Sequence, residues 1–245
     1  MTPGLLLTSF ALGLRHGIDG FKSNPVLQAF LYGSAMERAA LFEAVGEQRQ
    51  RLIGALEGLG DEQWNVQSLC EKWRVRDVVG HLVSILDISA GRFLWRSFRA
   101  RSFDAYAAVV ARDYGSQDPG QLLAEYRQLA SKQIAPPIIG PIAPLTDALV
   151  HTRDIERPLG LSATLNPEGL RAALDFCSGG RAFGFVPRKR TEGLRFEATD
   201  MDWSAGDGEL VSGPAEAILL VVTNRPIALP ELSGDGVEKL VNRIG

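Results

Sequence analysis

From Ser34 to the proline at position 158 the large apolar residues return at helical spacing, and strand-like alternation first appears at Leu194. This pattern confines the first two thirds of the chain to helices packed on one another, because a one-sided apolar stripe needs a partner surface. Ser34-Ala35-Met36-Glu37 has the S-x-x-E form of a capping box. After it, Leu41, Phe42, Val45, Leu52, Ile53 and Leu56 recur on one face until Gly58 and Gly60 end the run. A second helix is expected from Val75 to Trp95, with the stripe Val75, Val78, Val79, Leu82, Ile85 and Leu86. Arg92, Arg96, Arg99 and Arg101 crowd its far end, where cations suit the helix dipole. Asp118 and Pro119 open a third helix as N-cap and first helical residue, with Leu122, Leu123, Tyr126 and Leu129 as its stripe. The stretch Ala135-Pro136-Pro137-Ile138-Ile139-Gly140-Pro141 breaks it. A fourth helix follows Pro144 and stops before Pro158-Leu159-Gly160. Four helices joined by loops predict an antiparallel four-helix bundle over residues 34–162.

Two further regions differ in character. The connection from Asp61 to Trp73 holds Trp64, Ser68, Cys70 and Trp73, and two tryptophans in so short a loop predict that it folds back onto the core. Beyond Leu161, Asn166-Pro167-Glu168 opens a short helix to Cys177. Leu194, Phe196 and Ala198 then alternate with Arg195, Glu197 and Thr199 at strand period. A turn at Gly206-Asp207-Gly208, a second strand over Glu209–Ser212, a helix from Gly213-Pro214 through Val222 and a last helix over Val237–Arg243 complete a small α+β domain, residues 163–245. The fold class expected is therefore α plus small α+β.

Composition narrows the function. The net charge of −3 offers no cationic excess for a phosphate backbone, so nucleic acid is not an expected partner. Arg188, Lys189 and Arg190 read as a solvated loop. Cys70 and Cys177 stand far apart and in no CxxC pair, which predicts neither a disulfide framework nor a cysteine zinc site and fits a reduced, cytoplasmic setting. The apolar run Gly4–Leu14 is too short for a bilayer, which needs about 20 residues, and it lacks the flanks of a secretory signal. Residues 1–33 are expected to be a weakly ordered extension, and no membrane contact is expected.

Chemistry gathers around two of the three histidines, since His16 lies in the extension. His81 sits at the border of its helix's apolar stripe, about 60° from Val78 on the helical wheel. Asp147 and His151 are one turn apart on the fourth helix, so their side chains stand about 6 Å apart on one face, with Asp154 three residues further along it. An imidazole and a carboxylate on facing helices are how bundles build divalent-metal sites, and nitrogen and oxygen donors suit a zinc-like ion. Three protein ligands leave a fourth position for water or a substrate atom. Spacing alone leaves open an ordinary Asp–His pair on a wet helix face.

The block Trp64-x3-Ser68-x-Cys70-x2-Trp73-Arg74-Val75-Arg76-Asp77-Val78-Val79-Gly80-His81-Leu82, together with Val150-His151-Thr152-Arg153-Asp154-Ile155-Glu156-Arg157-Pro158-Leu159-Gly160, resembles the mycothiol-dependent maleylpyruvate isomerase family, one of the DinB-like metal-binding bundles. The resemblance runs from Met36 to the C-terminus. It implies that His81, Asp147 and His151 are metal ligands, although the family's acid is glutamate and Asp147 is one methylene shorter. It implies that Asp154 orients an imidazole or meets a nearby arginine. Arg74 stands where the family often has a small N-cap residue. The stretch Leu194–Asp200, Trp203, Gly213 and Asn224-Arg225 resembles the family's smaller C-terminal domain, which makes Arg225 the functional arginine, with Asn224 where glycine is frequent.

The resemblance implies a Zn2+-type ion that binds mycothiol through sulfur, lowers the thiol's pKa and makes thiolate available. The thiolate attacks an electrophilic carbon. An isomerase adduct rotates about the former double bond and expels the thiol, whereas an S-transferase releases the adduct. Arg225 would hold a substrate carboxylate, and Arg92 and Tyr126 are candidates for lining a pocket. Two other readings stay open: a metal- or thiol-binding module without turnover, used in sensing or protein contact, and a zinc hydrolase with Asp154 as base.

Overall fold

The computed structural model describes residues 25–87, 103–136, 139–162, 165–179, 182 and 185–244. Residues 1–41 and 42–245 form two compact units. The first is described only through the opening turns of helix α1 (Pro25–Glu57), and the second contains the site. Helix α1 departs from expectation at its start. It is already helical at Pro25, so Ser34 and Glu37 lie inside the helix rather than at its start. Of the expected extension, residues 1–24, with Gly4–Leu14 and His16, lie outside the described residues.

Helix α2 (Val75–Asp87) begins where expected; its continuation to Trp95 and the four arginines beyond lie outside the described residues. Asp77, at its third position, accepts from the backbone N–H of Arg74 at 2.9 Å and from the Arg74 guanidinium at 3.0 Å. The helix start is thereby capped from Asp77's side, although residue 74 has no short polar side chain. Helix α4 (Pro119–Leu129) has the expected cap, with Asp118 accepting from Gly120 N–H and Gln121 N–H. Helix α5 (Ile142–Glu156) starts slightly ahead of Pro144, which the first turn tolerates because its N–H would have no helical partner. Helix α3 (Phe103–Gly115) is not foreseen by the periodicity. Its contact with α2 uses Ala111 and Gly115, small residues that a reading of large apolar side chains passes over.

That contact is close. A Cβ on Gly80 would stand 2.5 Å from the Ala111 carbonyl oxygen and 2.7 Å from Gly115 N, and one on Gly115 would stand 2.6 Å from Asp77 Oδ1. Helix α2 also packs on α4 and α5. Leu52, Leu56, Trp64, Val75, Val78, Val79, Val83, Leu122, Tyr126 and Ile155 form one buried cluster. Each large apolar side chain buried there contributes about 1.5–3 kcal/mol. Trp64 belongs to that cluster, so the loop over 61–73 folds back onto the core as its tryptophans suggest.

The last third holds α6 (Pro167–Ser178), α7 (Arg188–Thr191), β1 (Leu194–Ala198), β2 (Ser204–Ala205), β3 (Glu209–Gly213), α8 (Ala215–Val222) and α9 (Val237–Val241). The sheet order is β2-β1-β3, with β1 antiparallel to β2 and parallel to β3 in the register Phe196↔Val211. Strands β1 and β3 match expectation; β2 is two residues long and carries no readable period. Helix α8 packs on α6 and the sheet and is buried on nearly every side, as an apolar run with a single acidic residue, Glu216, should be. The chain is thus mostly helical with a small three-stranded sheet. Among the described residues no helix is long and apolar enough to cross a membrane.

Ion pairs join the two halves. Arg153 Nε and Arg157 Nε, both on or just past α5, donate to Glu216 Oε1 of α8 at 2.8 and 2.7 Å. Arg157 also pairs with Glu231 at 2.6 Å, and Arg153 with Glu156 at 2.9 Å. Arg153 and Glu156 are buried, so each charge depends on its partner. These contacts hold α8 against α5 and bring the end of α8 beside Asp154.

Candidate metal centre

Helix α2 contributes His81, and helix α5 contributes Asp147 and His151 one turn apart. The three side chains converge. Asp147 Oδ1 lies 3.7 Å from His81 Nε2 and 3.5 Å from His151 Nε2. One ligand atom from each residue lies within 4.8 Å of the other two. Both imidazole–carboxylate distances exceed an ordinary hydrogen bond, for which N···O is about 2.7–3.2 Å. Two atoms bound tetrahedrally to one ion at about 2.0–2.1 Å stand about 3.3–3.4 Å apart. The spacing therefore suits three ligands around one cation better than three groups bonded directly to one another.

Burial strengthens this fit. Both histidines are 8% exposed. Asp147 Oδ2 and His81 Nδ1 are buried with no hydrogen-bond partner among the described residues. Burial by itself would raise the Asp147 carboxyl, but His151 and His81 outweigh it and hold the group well below the usual carboxylate range. Burial by itself would likewise lower His151. Asp147, then Asp154 and Cys70, overcome that and raise it well above an ordinary imidazole. A proton on His151 and a metal ion would therefore compete for the place beside Asp147, and metal binding would release the proton.

Around this triad lies a second layer that sequence reasoning captured only in part. Asp154, fully buried, accepts from His151 Nδ1 at 2.8 Å, which directs the other ring nitrogen toward Asp147. Cys70 Sγ lies 3.1 Å from Asp154 Oδ2, and Leu69 N–H donates to the Asp154 backbone carbonyl at 3.0 Å. The loop carrying these residues is self-braced. Ser68 Oγ donates to Trp73 O at 2.6 Å, and Gln67 Nε2 donates to the carbonyls of Cys70 and Trp73. Trp73 emerges from this brace with its ring 5.0 Å from the His81 ring and 6.0 Å from that of His151, centroid to centroid. The signal for Trp73 was present in its place within the first block, but nothing in a loop's sequence says which way its side chain faces. Behind Asp147, the buried Arg49 donates to the carbonyls of Ala130 and Lys132 and adds its charge to the Asp147 environment. Tyr126 is fully buried, and Arg92 lies outside the described residues, so neither is seen to line a pocket.

Arg225 reaches the same place from the end of α8. Arg225 N–H donates to Leu220 O and Asn224 N–H to Val221 O, the two bonds of a Schellman C-cap. Its left-handed position is Asn224, with φ of 72°. Asparagine tolerates that conformation better than other side chains, which explains how it stands in for glycine there. The turn delivers Arg225 onto Asp154, with Nε donating to Oδ1 at 2.9 Å and Nη2 to Oδ2 at 2.6 Å. Cys70, His151 and Asp154 also offer a set of potential metal ligands, but Arg225 Nη2, 3.5 Å from Cys70 Sγ, already supplies a cation there. That leaves His81, Asp147 and His151 as the candidate ligand set.

Residues 45–135 match the family model of the mycothiol maleylpyruvate isomerase N-terminal domain. This bears out the resemblance read from the sequence. The matched span contains the first block and His81, while Asp147 and His151 lie beyond it. Among solved structures the chain is similar to the mycothiol-dependent maleylpyruvate isomerase, at 12% identity and a TM-score of 0.51. It is also similar to a histidine-to-alanine mutant of that enzyme, at 12% identity and a TM-score of 0.57. Each similarity covers 81% of this chain and 92% of the other, and at that identity it is one of fold. No curated protein matches the chain.

Proposed function

With residues 45–135 set in the mycothiol maleylpyruvate isomerase N-terminal domain family, we propose that this chain is a metal-dependent enzyme using a low-molecular-weight thiol of the mycothiol kind. It acts on a small electrophile, as an isomerase or as an S-transferase. His81, Asp147 and His151 hold a divalent ion, and two imidazoles with one carboxylate are the donor set of catalytic zinc. The helices of residues 34–162, α3 among them, form a DinB-like bundle around that ion rather than the four-helix one expected, and residues 163–245 form the C-terminal domain.

The observation that carries this reading is the convergence of two imidazole nitrogens on one carboxylate oxygen, Asp147 Oδ1. The ion supplies a Lewis acid that keeps a bound thiol as thiolate at neutral pH. The protein's own residues do the rest. Asp154 fixes His151 so that Nε2 is the free nitrogen. Trp73 lies against both rings and shields the ligands from water. The charges of Asp147 and Asp154 are matched by those of Arg49 and Arg225, so a divalent ion leaves two positive charges uncompensated. That surplus favours two anions, a thiolate and a carboxylate-bearing electrophile. Arg190, held by Val222 O and Asn224 Oδ1, adds positive charge on the same side.

Thiol consumption with a panel of small electrophiles tests the proposal. Full-length protein is expected to consume thiol, to fall to background after chelation and to recover with added Zn2+. Thiol binding without consumption across the panel would instead identify a non-catalytic sensing or interaction module.

A further inference from the structure

The C-terminal arginine is the group the sequence assigns to a substrate carboxylate, and its contacts point elsewhere. Arg225 spends Nε and Nη2 on both oxygens of Asp154, at 2.9 and 2.6 Å. Nη2 also reaches Cys70 Sγ, and Nη1 donates to Thr223 O at 2.5 Å. Of its five N–H groups only one, on Nη1, is left for anything else. The carboxylate it holds is fully buried and is the one that accepts from His151 Nδ1. A bidentate guanidinium fixes the plane of a carboxylate as well as its charge. With that plane fixed, Asp154 Oδ2 stays in line with the imidazole N–H, and the imidazole can present only Nε2 toward Asp147.

We infer that Arg225 is a positioning residue for the metal site: by clamping Asp154 it locks the orientation and tautomer of His151, and thereby sets metal affinity. The inference rests on the proposed ligand set. It also gives the last third of the chain a defined task. The Schellman turn at Asn224 and the ion pairs from Arg153 and Arg157 to Glu216 hold the guanidinium at the one place from which it reaches Asp154. Under this arrangement the domain contributes to metal retention even before any substrate is present.

The test is Zn2+ affinity, measured on the full-length protein by competition with a chromogenic chelator in the absence of thiol and electrophile. Loss of a partner that orients a metal-bound histidine typically lowers affinity about 10–100-fold. Arg225→Ala is expected to show a loss in that range, Arg225→Lys a smaller one, and added guanidinium ion is expected to restore part of the affinity of Arg225→Ala. Restoration by a free cation separates positioning from a general loss of fold, and the lysine variant keeps the test open if the alanine variant does not fold. Wild-type affinity in Arg225→Ala, with a raised KM for the electrophile, would overturn the inference and return the arginine to substrate binding. A wild-type protein that binds no Zn2+ would overturn the ligand set itself, and that outcome is distinct from the first.

Discussion

Replacing His151 with alanine is expected to lower kcat/KM for thiol-dependent turnover by about a thousandfold or more, with added Zn2+ failing to restore it. His151 is the residue on which the whole cluster depends. Its Nε2 stands 3.5 Å from Asp147 Oδ1, while its Nδ1 bonds Asp154 at 2.8 Å. Without the ring, the proposed metal site loses one of its three protein ligands, and Asp154 loses the group it orients. Lewis-acid stabilisation of developing charge is worth several kcal/mol, and each 1.36 kcal/mol is tenfold in rate, so losing about 4 kcal/mol costs about a thousandfold. Asp154 stays bidentately paired with Arg225 in the variant, so the protein is expected to remain folded and the comparison to report on chemistry. Steady-state kinetics of wild type and His151→Ala, each with and without excess Zn2+, give the answer; a variant retaining a tenth of wild-type turnover would place the chemistry elsewhere.

The second large effect is on stability. Gly80→Ala places a methyl 2.5 Å from the Ala111 carbonyl oxygen and 2.7 Å from Gly115 N, and both obstacles are backbone. The α2–α3 crossing has to open, since neither atom can turn aside as a side chain would. Overpacking of this kind costs about 1–3 kcal/mol, and backbone obstruction puts it toward the upper end. For a chain of this size that lowers Tm by about 6–12 °C, at about 2–4 °C per kcal/mol. Because His81 follows Gly80 directly, reduced Zn2+ affinity is expected to accompany the loss. Gly54→Ala is the matched control. A Cβ there meets nothing within 4 Å, so helix propensity alone acts and stability rises by up to about 1 kcal/mol. Thermal unfolding of both variants, metal-free, measures the contrast; Gly80→Ala melting with wild type would mean that α2 and α3 are not packed this closely.

What the sequence revealed follows from which interactions leave a period. Large apolar stripes exposed α2, α4 and the second half of α1, because Val, Leu and Ile at i, i+3 and i+4 must face a core. Helix α3 was missed because its close approach to α2 relies on Ala111 and Gly115, whose smallness is the packing device and which a search for large apolar residues passes over. The three converging residues were legible because a one-turn Asp147–His151 spacing is itself a geometric statement, and the resemblance singled out His81 as their partner. That Asp154 would meet an imidazole or an arginine was legible; which arginine was not. Arg225 lies 71 positions away, and only the fold of the last third, with α8 gripped through Glu216, brings it there. The ring positions of Trp73 and the thiol of Cys70 were equally out of reach, since both depend on a loop braced by Gln67 and Ser68 side chains rather than on any repeating pattern.

The measurement nearest to the centre of this account is the metal content of protein purified under Zn2+-replete, chelator-free conditions. Elemental analysis is expected to find about one Zn2+ per chain in wild type and near none in His81→Ala and in His151→Ala, two ligands drawn from different helices. Equal metal in all three proteins, or none in wild type, would contradict a site built from His81, Asp147 and His151.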